Sequence, residues 1–310
     1  MDFKFSPTHL YPQSATTVYT LLAVIRIVIM SMPSISRIQI SISILISAWL
    51  ILSGCQPPDE TEQRKEQLKR EAFKLRMGMG LTPEDAEGHF QLGKIYHDLG
   101  DHDKSIEAFR TAVSLDDENA QTHNHLGLVY LSLRLNDEAV KAFLEAIRVN
   151  PDNPTFYNNL GYAYDNEDEF EEAAKAYRRA IEIDPEFQDA YYNLAAAYHA
   201  REEFEVAIKN YERAISLDQS DADALIGLGE AFQDSGQLNQ AIRTYEKVLS
   251  LDSTDPEVYY RLSQLYNETD NAPLTQSNLE IFLERADGLP QFEAKIENAK
   301  RLKRKLASKP

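Results

Sequence analysis

A 34-residue period runs without insertion from Ala86 to Asp255, and it leaves the chain few ways to fold. In frames begun at Ala86, positions 7 and 8 read Leu92-Gly93, Leu126-Gly127, Leu160-Gly161, Leu194-Ala195 and Leu228-Gly229. Position 11 reads Tyr96, Tyr130, Tyr164, Tyr198 and Phe232, and position 20 reads Ser105, Ala139, Ala173, Ala207 and Ala241. Position 24 reads Phe109, Phe143, Tyr177, Tyr211 and Tyr245. Self-similarity at this length marks a two-helix unit that cannot bury its apolar side alone and must stack on its neighbours. The expected fold is therefore an all-α solenoid, and the expected work is binding rather than catalysis.

Positions 4, 7 and 11 lie three or four residues apart, so they share one face of a first helix, helix A; positions 20, 24 and 27 do the same on a second, helix B. Small residues at 8 and 20 let the two helices cross closely. Alanine at 27 (Ala112, Ala146, Ala180, Ala214) lets helix B approach the next repeat. Large residues at 4, 7, 11 and 24 fill the space between, each worth about 1.5–3 kcal/mol when fully buried. Asn150-Pro151-Asp152-Asn153-Pro154 and Asp184-Pro185 stop one helix and start the next.

These residues resemble the tetratricopeptide repeat (TPR) family. The resemblance implies a right-handed superhelix of about six helix-turn-helix repeats: 86–119, 120–153, 154–187, 188–221, 222–255 and a degenerate 256–289. In the sixth, Tyr259, Leu262, Ser263 and Tyr266 keep the pattern, whereas Asn271-Ala272-Pro273 is expected to interrupt its second half. Residues 82–289 form the repeat domain, with Thr82 as N-cap and Pro83 at the first helical position. Residues 56–81 supply a linker and a charged helix carrying Leu68, Phe73 and Leu75, an N-terminal cap or a spacer. Residues 290–310 supply a basic capping helix with Phe292, Ile296, Leu302 and Leu306 on one side.

The front of the chain reads as an address. Ile38–Leu52 is apolar and uncharged, too short for an ordinary membrane span and suited to the apolar region of a secretion signal. Leu52-Ser53-Gly54-Cys55 resembles the bacterial lipobox, which implies acylation of Cys55, the chain's single cysteine, and residues 1–55 as signal peptide. Gln56, where an Asp would favour retention at the inner membrane, implies an outer-membrane anchor facing the periplasm; an inner-membrane anchor is the alternative. The second apolar run, Val18–Met30, points to a start at Met30 or Met32, or to a retained anchor within Val18–Leu52.

The chain carries a net charge of −18, and residues 291–310 hold seven Lys or Arg against two Glu, so the acidity belongs to the repeats. Such a body repels phosphate backbones, and nucleic acid is not an expected partner. The acid either solvates a long solenoid or selects basic partners; the basic tail either caps the core or meets anionic lipid.

In TPR superhelices positions 2, 5, 9, 12 and 13 of helix A face a concave groove. The resemblance implies groove residues Phe90, Lys94 and His97; Gln121, Asn124, Leu128 and Leu131; Thr155, Asn158, Tyr162 and Asp165; Tyr192 and His199; and Asp223, Glu230 and Gln233. Amides there suit the backbone of an extended peptide, and tyrosines offer rigid contact area. Asn159 and Asn193, at position 6, carry no ligand information by themselves. The clamp that grips C-terminal carboxylates needs paired cations, and Lys94 stands without a second in the groove of the first five repeats.

Neither a phosphate-binding loop, nor Gly-x-Ser-x-Gly, nor His-Glu-x-x-His occurs. His123 and His125 sit two apart on a helix and point to different faces. The expectation is a non-enzymatic protein-interaction scaffold, with no cofactor, metal or small-molecule substrate. It would bind extended or basic peptide segments during envelope, pilus or secretion assembly. A regulatory adaptor of a cell-wall or proteolytic enzyme is the alternative.

Overall fold

The computed structural model describes residues 60–78, 84–251 and 254–307. The signal, the lipobox with Cys55, and the Thr82-Pro83 pair lie outside the described residues. Two units are present, Met1–Lys69 and Arg70–Pro310. Helix α1 (Glu60–Arg76) begins in the first unit and ends in the second.

The second unit is a TPR-type α-solenoid, all-helical among the described residues. Its helix pairs are α2 (Ala86–Asp98) with α3 (His102–Leu115), α4 (Ala120–Ser132) with α5 (Asn136–Val149), and α6 (Pro154–Asp165) with α7 (Phe170–Ile183). They continue as α8 (Gln188–Ala200) with α9 (Phe204–Leu217), α10 (Ala222–Asp234) with α11 (Leu238–Leu251), and α12 (Pro256–Glu268) with α13 (Ala272–Arg285). A 3-10 turn (Pro290–Phe292) leads to α14 (Glu293–Ala307). Each helix A packs on its own helix B, each B on the next A, and successive A helices touch along α2, α4, α6, α8 and α10.

The close crossing of A and B is visible atom by atom. A Cβ added at Gly93, Gly127, Gly161 or Gly229 would lie 2.7, 2.6, 2.6 or 2.8 Å from the ring at position 24, respectively Phe109, Phe143, Tyr177 and Tyr245. The fourth repeat has Ala195 at that position, and there the tight approach shifts to the next repeat: Tyr211 lies against Gly227, 2.6 Å from a notional Cβ. Position 20 is sealed throughout. Ala139, Ala173, Ala207 and Ala241 are wholly buried, and Ser105 satisfies its hydroxyl by donating to the Gly93 carbonyl at 2.8 Å.

Helix starts are capped where the sequence offers an Asx residue. Asp85, Asn119, Asn153, Asp221 and Asp255 each accept from a backbone N–H in the first turn of helix A, worth about 0.5–2 kcal/mol apiece. The cap of the first repeat is thus Asp85, not Thr82. The expected interruption at Asn271-Ala272-Pro273 is instead a helix start: Asn271 caps α13 and Pro273 sits in its first turn, where proline's missing N–H does no harm. Thr275, Leu279 and Phe282 are fully buried behind it.

Consecutive repeats are tied by polar bonds that the apolar pattern does not announce. The Arg110 guanidinium donates to the Tyr130 hydroxyl at 2.9 Å, Arg178 donates to Tyr198, and Tyr266 donates to Glu246 at 2.6 Å. Each joins position 25 of one repeat to the position-11 tyrosine of the next.

On α1, Leu68, Ala72 and Leu75 fall on one helical face, and Ala72 and Leu75 pack with Leu92, Tyr96 and Ala108. Phe73, expected among the packing residues, is 63% exposed, because it lies about 100° around the helix from Ala72. At the other end Phe292, Ile296, Ala299, Leu302 and Leu306 pack on Tyr259, Leu279 and Phe282.

The turn between A and B is left-handed in all six repeats. Gly100 and Gly236 have φ of 74° and 76°, and Arg134, Asp168, Glu202 and Asp270 have 58°, 59°, 61° and 55°. A non-glycine residue there bears a Cβ clash of about 1–2 kcal/mol. Glu202→Gly should therefore stabilise the chain by about 0.5–1 kcal/mol after the entropy of the unfolded glycine is subtracted. Thermal melts read the result; a lower melting temperature would contradict the strain.

Candidate functional site

The face formed by successive A helices carries most of the groove residues, and neighbouring repeats are bonded across it. Asn159 donates its side-chain amide to Asn124 Oδ1 at 2.8 Å, and Asn193 donates to Asn158 Oδ1 at 2.9 Å. Position 6 of one repeat thus holds position 5 of the repeat before. Each pair consumes one N–H and one carbonyl and leaves an amide donor on one residue and a carbonyl acceptor on the other. Swapping O and N on both members preserves that balance. Asn159 and Asn193, uninformative in the sequence, are the residues that orient Asn124 and Asn158; their signal was a spacing of 35 residues between amides.

The remaining groove residues divide by environment. Phe90 is buried, 5.9 Å from Phe109 and 5.1 Å from His125 between ring centroids, with the Lys94 ammonium 5.5 Å above it. It serves the core rather than a free surface. Leu128 and Leu131 are half-buried against the same apolar cluster. His97 lies 5.8 Å from His102, and its buried Nδ1 finds no partner. Burial, then the neighbouring His102, holds His97 below the usual histidine pKa; burial does the same for His125. Both are therefore held toward the neutral form.

From the third repeat onward the face turns acidic and tyrosine-rich. Tyr162 is 48% exposed, Tyr192 sits 5.8 Å from Tyr211, and burial raises the Tyr192 hydroxyl's pKa, helped by Asp223, Asp221 and Glu230. His199 bonds Asp234 at 2.8 Å, and Glu230 pairs with Arg261 of the sixth repeat at 2.6 Å. Gln121, Thr155 and Asp223 are exposed, and the buried Gln233 Oε1 has no partner. Asp165 is half-buried, and its carboxylate takes no hydrogen bond or ion pair among the described residues. Burial, then Asp168, raises its pKa above the usual carboxylate value. The sequence had no means of telling Asp165 from Glu230, which pairs with Arg261, or Asp234, which hydrogen-bonds His199.

Nothing in this arrangement assembles a nucleophile with a base. Among the described residues no group of His, Cys, Asp and Glu is placed to hold a metal ion, and no helix is long and apolar enough to cross a membrane.

The repeats and their bonded A face define the class, a TPR solenoid. The family model described as the C-terminal domain of cilia and flagella-associated protein 70 matches residues 59–294, and the chain belongs to that family. No curated protein matches it. Among solved structures the chain is similar to MamA, with 27% identity, a TM-score of 0.50, and coverage of 55% of this chain and 92% of that one. It is also similar to YrrB, described as a TPR protein with an unusual peptide-binding site: 20% identity, TM-score 0.53, coverage 63% and 99%. A third is PilW, described as a widely conserved type IV pilus biogenesis factor: 17% identity, TM-score 0.60, coverage 69% and 97%. At these identities YrrB and PilW are likenesses of fold.

Proposed function

We propose that this chain is a lipid-anchored, non-enzymatic scaffold whose helix-A groove holds an extended segment of a partner protein during assembly at a bacterial envelope. One observation carries the binding part: the half-buried Asn158–Asn193 pair leaves a donor and an acceptor where the third and fourth repeats meet, while Asn124, only 4% exposed, holds Asn159 from beneath rather than facing a ligand. An extended backbone offers one N–H and one carbonyl per residue, so such a pair can hold a peptide without reading its side chains. The likeness to YrrB, a TPR protein with an unusual peptide-binding site, and to PilW, a type IV pilus biogenesis factor, supports peptide binding and envelope assembly as the context. The anchor rests on Leu52-Ser53-Gly54-Cys55 and the apolar run before it.

Several acyl chains on one cysteine, at about 0.8 kcal/mol per buried methylene, hold a protein firmly to a bilayer. Cys55→Ser should move the protein from the membrane fraction of a Gram-negative host to its soluble periplasm. Mass spectrometry of the parent should find Cys55 as an acylated N-terminus. A variant that stays with the membrane, or a parent whose N-terminus precedes Cys55, removes the anchor. Crosslinking in the same cells tests the scaffold: recovery of no envelope protein argues against it.

A further inference from the structure

Position 24 is phenylalanine in the first two repeats and tyrosine in the next three, although the ring packs against a small residue in every case. Phe109 and Phe143 show that the packing needs no hydroxyl. Tyr177 nevertheless carries one, and it is fully buried with no hydrogen-bond partner. A buried unsatisfied hydroxyl is a standing cost to the fold, so its presence calls for a reason outside packing.

Its place supplies one. The Tyr177 ring runs beneath Gly161, and Asp165 stands one helical turn further along the same face of α6. The Tyr177 hydroxyl is raised in pKa by burial first and then by the neighbouring charges of Asp165 and Tyr162; the Tyr211 hydroxyl is raised by burial and then by Tyr192, Glu230 and Asp165. Asp165 thus has tyrosines about it, lacks a cation, and shares the face with the half-exposed ring of Tyr162.

We propose that Asp165, with Tyr162 and Tyr177 beside it, is a subsite for the guanidinium of an arginine side chain on the bound peptide. The proposal rests on the groove reading above and adds the identity of one side chain. A guanidinium can place two parallel N–H donors on one carboxylate and lay its plane on a tyrosine ring, which an ammonium cannot do as well. The Asn158–Asn193 pair offers a donor and an acceptor on the same face, so one extended peptide can use it and Asp165 together. Charge complementarity selects the occupant: on the same face Glu230 pairs with Arg261 and Asp234 hydrogen-bonds His199, whereas Asp165 has no such partner among the described residues. Tyr177 acts as a positioning residue, its hydroxyl available to a carboxylate oxygen once the cation draws Asp165 into place.

The probes are two fluorescein-labelled nonapeptides of alternating Leu and Ser, one with a central arginine and one with citrulline, its neutral isostere. They are titrated against the full chain by anisotropy at low salt. The arginine peptide should bind at least about tenfold tighter, the range of a partly desolvated charge-assisted pair. Asp165→Asn should erase that ratio, chiefly by weakening the arginine peptide. Tyr177→Phe, which gives the third repeat the ring that Phe109 and Phe143 supply to the first two, should shrink the ratio while raising the melting temperature. A purely structural tyrosine would not give that split. Equal affinity for the two peptides overturns the subsite and leaves the groove standing. An arginine preference that survives Asp165→Asn also overturns it, by placing the charge elsewhere. Binding of neither peptide overturns the subsite and the groove together.

Discussion

Gly161→Val should melt the chain about 6–12 °C below the parent, the equivalent of about 3 kcal/mol in a protein of this size. The first carbon of the new side chain would lie 2.6 Å from Tyr177 Cε1 and 2.9 Å from Cζ, and two more methyl carbons would follow. The ring cannot retreat, because it is 0% exposed and boxed by wholly buried Ala173 and Ala180 on its own helix. Relief requires α6 and α7 to separate, and that loosens the pair on which Tyr162 and Asp165 are mounted. Adding Tyr177→Phe would not rescue the variant, since the clash is with ring carbons and not with the hydroxyl. Circular dichroism at the helical minimum reads the melt. A melting temperature within a degree of the parent would mean that position 8 is not where the helices meet.

The same pair shows what the sequence could and could not disclose. A glycine recurring 16 residues before an aromatic ring is legible as close packing, because only sterics decide it and sterics repeat with the period. The helix register, the buried alanines and the apolar face of α14 follow for the same reason. The left-handed turn is hidden in the sequence because Arg134, Asp168 and Glu202 occupy it without glycine. The α13 start reads as a break only if Pro273 is taken as interior; Asn271 two residues before it is a helix cap, the signal that makes this a start. The groove is legible only as a row of positions. Which of its residues are bonded to each other depends on contacts 35 apart, between side chains that vary from repeat to repeat; Phe90 turns inward and Asn159 becomes a partner for that reason.

Phe282→Ala should cost about 3–5 kcal/mol, the larger of the two effects, and should act on one end only. Phe282 is 0% exposed, with its ring 5.0 Å from Tyr260 and 5.9 Å from Phe292, so it joins α12, α13 and the segment leading into α14 at a single point. The ion pairs that also reach α14, Lys303–Glu280 and Lys295–Glu257, lie at least partly in solvent and do not replace lost ring packing. A solenoid's stability is close to a sum over neighbouring repeats, so loss at one interface need not spread. Hydrogen exchange should therefore show α13 and α14 losing protection at a temperature where α4 to α9 keep theirs. That outcome would identify α14 as a cap whose basic side faces outward while its apolar side closes the stack. Uniform loss across all repeats would mean that the solenoid folds as one cooperative block. Retained protection in α14 would mean that Phe282 is not its anchor, and the basic helix would then have to be held by a surface other than the sixth repeat.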